Sequence, residues 1–183
     1  MRTLTIIIPT YNEAKTIHIV LQRVFASTLL GWQKQVVVVD DGSVDDTVGI
    51  LKKWQSRATI VHLSHNQGKG AAVTEGLRRA TGDIIIIQDA DLEYSPDDYP
   101  VLLNPFENVR VNAVYGSRFL GPHLSTMFIY ALGNKFVTLV TNILYNTTIT
   151  DMETGYKAFR RSAVKDLEIK AKRFDFEPEV TAK

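Results

Sequence analysis

Four short apolar runs mark the first half of the chain: Leu4–Ile8, Gln35–Val39, Thr59–Leu63 and Ile84–Gln88. Most of their residues are valine and isoleucine in near-unbroken series, the pattern of strands covered on both faces. Helical periodicity fills the gaps between them. Ile17, Val20, Leu21, Val24 and Phe25 recur at i, i+3, i+4, i+7 and i+8, a single apolar stripe. Asp45 and Asp46 stand where an N-cap and first turn would open a short helix carrying Val48, Leu51 and Trp54. Gly70 to Ala80 reads as a small-residue helix able to lie close to a sheet. Strand alternating with helix predicts a parallel, right-handed α/β sheet.

The second half changes character. Ala113–Ser117 is a candidate fifth strand, Phe128 to Leu144 a long helix and Thr154 to Arg160 a short strand. In the long helix Phe128, Leu132, Phe136, Leu139 and Ile143 keep helical spacing, while Asn134, Thr138, Thr141 and Asn142 crowd another side. Pro178 is placed as the first residue of a last helix. That helix has barely begun at Lys183, which reads as a chain cut short.

Composition narrows the class. With 183 residues, 45% hydrophobic and 22% charged, the chain is one ordinary globular domain rather than a disordered one. It contains no cysteine, which removes disulfides, thiolate metal sites and a cysteine nucleophile. A formal charge of +1 gives no reason to expect nucleic acid as a partner. Leu4–Ile8 is too short for a secretory signal. Met127 to Tyr145 is broken by Gly133, Asn134, Lys135 and Asn142, so no bilayer-spanning helix is expected.

In an open parallel sheet, ligands bind beyond the carboxyl ends of the strands. The residues that follow the four runs are Pro9-Thr10-Tyr11-Asn12-Glu13, Asp40-Asp41-Gly42-Ser43, Asn66-Gln67-Gly68-Lys69-Gly70 and Asp89-Ala90-Asp91-Leu92-Glu93. These polar clusters converge on one rim. In extended backbone Asp89 and Asp91 point the same way, and two close carboxylates repel unless a cation or proton lies between them. Oxygen ligands suit Mg²⁺ or Mn²⁺, with Glu93 as a further oxygen. A lone Asp-x-Asp is as readily a solvated turn, but the neighbouring clusters favour the metal. Asp40 suits a nucleobase N–H or a ribose hydroxyl, whereas Asp41 divides evenly between ligand binding and turn chemistry. Gly68-Lys69-Gly70 is a weak phosphate signal without the full spacing of a P-loop. Arg118 could meet phosphate oxygens, or lie on the surface.

Pro9-Thr-Tyr-Asn-Glu13, Val38-Val-Asp-Asp-Gly-Ser-Val-Asp-Asp-Thr47, Gly68-Lys-Gly-Ala-Ala72 and Asp89-Ala-Asp91 together resemble glycosyltransferase family 2. Gly116-Ser-Arg-Phe-Leu-Gly121, Gly133-Asn-Lys135, Asp151-Met-Glu-Thr-Gly-Tyr-Lys157 and Phe176-Glu-Pro-Glu179 resemble its polyprenyl-phosphate branch. The resemblance implies a GT-A fold, a mostly parallel central sheet with helices on both faces. It implies a single catalytic domain over 1–183, with a donor-nucleotide half at 1–95 and an acceptor half at 96–183. By position, Pro9, Tyr11, Glu13 and Asp40 would hold the nucleoside of a UDP- or GDP-hexose, with Val38, Lys69 and Ala90 also lining the donor site. Asp89 and Asp91, with Glu93, would serve the metal and diphosphate. Arg118 would reach phosphate, and Asp151 would lie near the transferred sugar. The chain departs from the branch at His123-Leu124, which lacks an arginine often found there.

The reaction implied is inverting transfer of a hexose to polyprenyl phosphate. That acceptor is already mostly a dianion at neutral pH, its second pKa being about 6, so it needs basic guides more than a general base. Arg118, Lys157, Arg160 and Arg161 are the candidates. A saccharide or protein hydroxyl as acceptor, and an inactive nucleotide-sugar-binding fragment, stand as alternatives. The resemblance also places the longer protein at the cytoplasmic membrane face and leaves a homo-oligomer open.

Overall fold

Six strands form one sheet in the spatial order β3-β2-β1-β4-β6-β5 in the computed structural model, which describes residues 1–119, 128–171 and 175–183. They are β1 (Arg2–Thr10), β2 (Trp32–Asp40), β3 (Thr59–His62), β4 (Ile84–Ile87), β5 (Ala113–Tyr115) and β6 (Lys157–Arg160). Among the described residues seven α-helices accompany them: α1 (Ile17–Ala26), α2 (Thr47–Lys52), α3 (Lys69–Arg79), α4 (Tyr99–Leu103), α5 (Phe128–Tyr145), α6 (Arg161–Val164) and α7 (Phe176–Ala182). Leu120, Gly121 and the His123-Leu124 stretch lie outside the described residues, as does the side chain of Phe128.

Side-chain alternation builds both layers from the same strands. Leu4, Ile6 and Ile8 of β1, Val36 and Val38 of β2, and Ile84 and Ile86 of β4 face α1, the Leu51–Trp54 region and α4. Ile7, Ile85 and Ile87 face the other way, toward Val73 of α3 and Phe176 and Val180 of α7. The small-residue helix does approach closely: a Cβ on Gly76 would lie 2.4 Å from the Ile7 side chain.

The sheet is parallel from β3 through β4. β6 then enters antiparallel between β4 and β5, pairing Ile85 with Phe159 and Val114 with Phe159's neighbour Ala158. The sixth strand is shorter than the Thr154–Arg160 expectation because Thr154–Tyr156 belong to a loop above the rim. Pro178 is the third residue of α7, not the first, a position equally free of an intrahelical N–H requirement.

Helix α5 carries its polarity the opposite way from a core helix. Thr138 and Thr141 are buried, while Ile129, Phe136 and Ile143 are 71%, 66% and 72% exposed. Its polar stripe is what holds it to the body. Asn142 donates to the Ile149 carbonyl at 2.8 Å and accepts from the Ile149 N–H at 3.0 Å. Thr138 Oγ1 accepts from Met152 N at 3.0 Å. Among the described residues no helix is long and apolar enough to cross a membrane.

Candidate active site

The carboxyl ends of β1, β2 and β4 and the loop after β3 meet through backbone and short polar side chains. Asp41 N donates to the Thr10 carbonyl at 2.8 Å. Asn12, in the left-handed region at φ 57°, donates its N–H to Ser43 Oγ and accepts from Val44 N, each at 2.9 Å. Asp45 Oδ1 accepts from Thr47 N at 3.0 Å, so it supplies the cap interaction at α2 while Asp46 makes none.

The two acids after β2 have separate tasks. Asp41 is buried and grips the third loop, accepting from Gln67 N at 2.8 Å and Gly68 N at 2.7 Å. Its carboxylate is engaged by a distant loop rather than by its own turn. Asp40 is buried as well, beside Ser43 N at 3.3 Å and His62 Nδ1 at 3.2 Å. Pro9 is half-buried and Tyr11 exposed on the same rim. Glu13 turns its carboxylate to the Thr16 hydroxyl at 2.5 Å and its carbonyl to the start of α1. The Val38 and Ala90 side chains are enclosed in the core beneath the rim.

Asp41's hold on Gly68, itself at φ 97°, fixes where α3 begins and so where Lys69 stands. The Lys69 ammonium lies 2.8 Å from Asp89 Oδ1 and 2.9 Å from Glu177 Oε1. Burial lowers the pKa of Lys69, but the two carboxylates outweigh it and hold the group charged. The sequence spacing offered no sign that Glu177, at the start of α7, would share the lysine.

Asp91 accepts from Glu93 N at 3.1 Å and is exposed, with Leu92 between them at φ 69°. Glu93 has its pKa raised, first by burial, then by the charge of Asp91, with Asp89 adding to it and Arg118 opposing. Negative charge therefore accumulates at this spot, and carboxylate oxygens are the right donors for Mg²⁺ or Mn²⁺. Among the described residues no three His, Cys, Asp or Glu side chains are gathered as a complete ligand set. The fit is that of an ion held by one or two carboxylates and completed by substrate phosphate.

Arg118 and Asp151 form the other half. Asp151 is fully buried; its Oδ2 accepts from Arg118 Nε at 2.8 Å and Arg118 N at 3.1 Å, and its Oδ1 from Arg118 Nη2 at 3.0 Å and Asn134 Nδ2 at 2.9 Å. Burial pushes the Asp151 carboxyl up, but these donors outweigh it and leave the pKa below the usual range. The Arg118 side chain as a whole stays 38% exposed. Asp151 thus positions Arg118. Of the other basic candidates, Lys157 is buried, donating to the carbonyls of Met152 and Thr154, Arg160 donates to those of Val111 and Phe106, and Arg161 is exposed at the start of α6. Tyr94 Oη accepts from Gly155 N at 3.0 Å and its ring stacks on Tyr156, which ties the 151–156 loop to the Asp89–Glu93 turn.

An open, mostly parallel sheet with these acids at the end of β4 defines a GT-A glycosyltransferase fold. The chain belongs to glycosyl transferase family 2, whose model matches residues 5–168. A UDP-N-acetylglucosamine–dolichyl-phosphate N-acetylglucosaminyltransferase of Methanococcus voltae is 30% identical, over 93% of this chain and 75% of that protein. The dolichol-phosphate mannosyltransferase of Pyrococcus furiosus is 30% identical over 90% of this chain, which spans 48% of the relative's length. In structure, the glucosyl-3-phosphoglycerate synthase of Mycobacterium tuberculosis, crystallised with Mn²⁺, UDP and phosphoglyceric acid, superposes with a TM-score of 0.75. It is 23% identical and the match covers 96% of this chain and 61% of that one.

Proposed function

We propose that this chain is the catalytic domain of a metal-dependent, inverting glycosyltransferase that moves a hexose from a nucleoside diphosphate sugar to a polyprenyl phosphate. The observation that carries the reading is the Arg118–Asp151 pair. A partly exposed arginine side chain stands close enough to Glu93 to act on its charge, and its counter-ion is sealed away with both oxygens occupied. Such an arginine suits an anionic acceptor. The buried, doubly engaged Asp151 is badly placed to take a proton from a hydroxyl acceptor. Two relatives similar over nine-tenths of this chain bear names that specify a dolichyl or dolichol phosphate acceptor.

In this reading Pro9, Tyr11, Glu13 and Asp40 receive the nucleoside, and Asp89 and Asp91 hold Mg²⁺ or Mn²⁺ with the donor diphosphate. Bound there, the ion supplies Lewis-acid neutralisation of charge on the departing nucleoside diphosphate. Arg118 orients the acceptor phosphate, engaging it through the Nη1 side that Asp151 does not grip. The phosphate is a nucleophile without loss of a proton, and its direct attack inverts C1. The exposed apolar face of α5 lies toward a membrane surface. Beside it runs a mainly apolar groove of about 580 Å³ between α5 and α7, lined by Val137, Val140, Leu144, Met152, Pro178 and Ala182, by which a lipid chain approaches.

The test offers radiolabelled UDP- and GDP-hexoses with polyprenyl phosphate, free polyprenol and a soluble saccharide in parallel. Label should enter the lipid phosphate alone. Label in the saccharide but not the lipid phosphate defeats the acceptor assignment and leaves the donor half standing.

A further inference from the structure

Lys69 sits between two carboxylates far apart in the sequence, one mid-chain and one near its end, at nearly equal distances: 2.8 Å from Asp89 and 2.9 Å from Glu177. Its side chain is 22% exposed, that of Asp89 17% and that of Glu177 8%. An ammonium so enclosed needs a partner at every moment, because an unpaired buried charge is strongly unfavourable. A divalent ion arriving on Asp89 repels that ammonium from a few ångströms away. Lys69 nonetheless has somewhere to go without losing its counter-charge, since Glu177 already holds it.

We propose that Lys69 is the resident counter-ion of Asp89 and that Glu177 is its alternate seat, so that Glu177 lets Lys69 yield Asp89 to the metal. Both are positioning residues: neither touches the reacting atoms. The inference rests on the reading of Asp89 as a metal carboxylate. It also gives α7 a part in the donor site, because Glu177 is fixed by the packing of Phe176 and Val180 against the sheet. Gly155 presses on Asp89 from the other side, a Cβ there falling 2.0 Å from Oδ2, so the carboxylate is confined and the mobile partner is the lysine.

The two single substitutions should act differently. In Glu177→Gln the ammonium keeps Asp89 as its one full counter-charge, and the metal must displace it. In Lys69→Met the competitor is gone. Binding of Mn²⁺ to the whole chain, read from the electron paramagnetic resonance of the free ion, is measured alone and with UDP or GDP, alongside thermal melting. Glu177→Gln should weaken Mn²⁺ about tenfold, Lys69→Met should bind no more weakly than the parent, and the Glu177→Gln effect should disappear in the double variant. A purely scaffolding role would instead lower the melting temperature of both variants and weaken Mn²⁺ in both. Weaker binding in Lys69→Met, unchanged binding in Glu177→Gln, or a Glu177→Gln loss that persists without the lysine overturns the proposal. Failure of the unmodified chain to bind Mn²⁺ in any of these conditions defeats the metal-site reading itself, and this inference with it.

Discussion

Gly155 lies so close to Asp89 that a methyl group on its Cα would stand 2.0 Å from the carboxylate Oδ2 and 3.3 Å from the Tyr94 ring. The close approach joins the 151–156 loop to the acid at the end of β4, and only a residue without a Cβ permits it. For Asp89 to swing aside it would have to give up the ion pair that its other oxygen makes with Lys69. Gly155→Ala should therefore destabilise the fold by about 1–3 kcal/mol, the range for overpacking, and reduce Mn²⁺ binding. Denaturant melts and a Mn²⁺ titration check it; parent-like values in both would show that the loop adjusts freely.

Asp151→Asn keeps the shape of the carboxylate but removes the charge that fixes Arg118. Turnover should fall on the order of 10²-fold, while affinity for free nucleotide stays near that of the parent, because the residues proposed to receive the nucleoside are on the other half of the rim. Steady-state kinetics beside nucleotide titration separate the two. An equal loss in both would move Asp151 from the acceptor side into donor binding.

Asp91→Ala should lower turnover by on the order of 10²–10³, as removal of one group stabilising the transition state does. EDTA should abolish the activity of the parent, and added Mn²⁺ or Mg²⁺ should restore it. Transfer indifferent to both the chelator and the substitution would take the metal away from this acid pair.

Lys157 gives the protein a predictable alkaline behaviour. Burial pulls its pKa from 10.5 down to about 8, against the opposing pull of Glu177, and Lys69 lowers it further. The folded state therefore releases this proton at lower pH than the unfolded chain does. Between about pH 8 and 10.5 the unfolded state binds more protons, so this group's contribution to stability increases as pH rises through that window. The gain is on the order of 2–3 kcal/mol at most. Urea unfolding at pH 7.5 and 9.5 should show a rise in the parent that is missing from Lys157→Met; parallel pH profiles for the two chains would contradict the assignment.

The outward face of α5 can be altered without touching the core. Ile143 is 72% exposed, so Ile143→Glu should change stability by no more than about 0.5 kcal/mol. If this face meets a membrane, the same substitution should lower binding to anionic vesicles and transfer to lipid-embedded polyprenyl phosphate, and spare nucleotide binding. A fall in melting temperature with vesicle binding unaltered would instead mark the residue as part of a packed surface.

Much of this architecture is written locally. The valine and isoleucine runs determine strands buried on both faces, because residues at even and odd positions each need an apolar layer, and β1, β2 and β4 follow from that alone. The acids and glycines after each run mark the strand ends, and the rim follows from parallel topology. What the pattern along the chain could not decide is which distant groups meet. An amphipathic stripe defines two faces of α5 but not which one turns inward; the hydrogen bonds of Asn134, Thr138 and Asn142 to the 149–152 segment decided it, against the usual preference for burying the apolar side. Lys157 and Arg160 read in the sequence as guides for an acceptor phosphate, and both donate instead to backbone carbonyls. Lys69 joins Asp89 to Glu177 only because α3 and α7 pack on the same face of the sheet, next to β4. Local pattern determines what each segment can be, whereas the pairing of charges far apart in sequence depends on three-dimensional packing, which no spacing rule encodes.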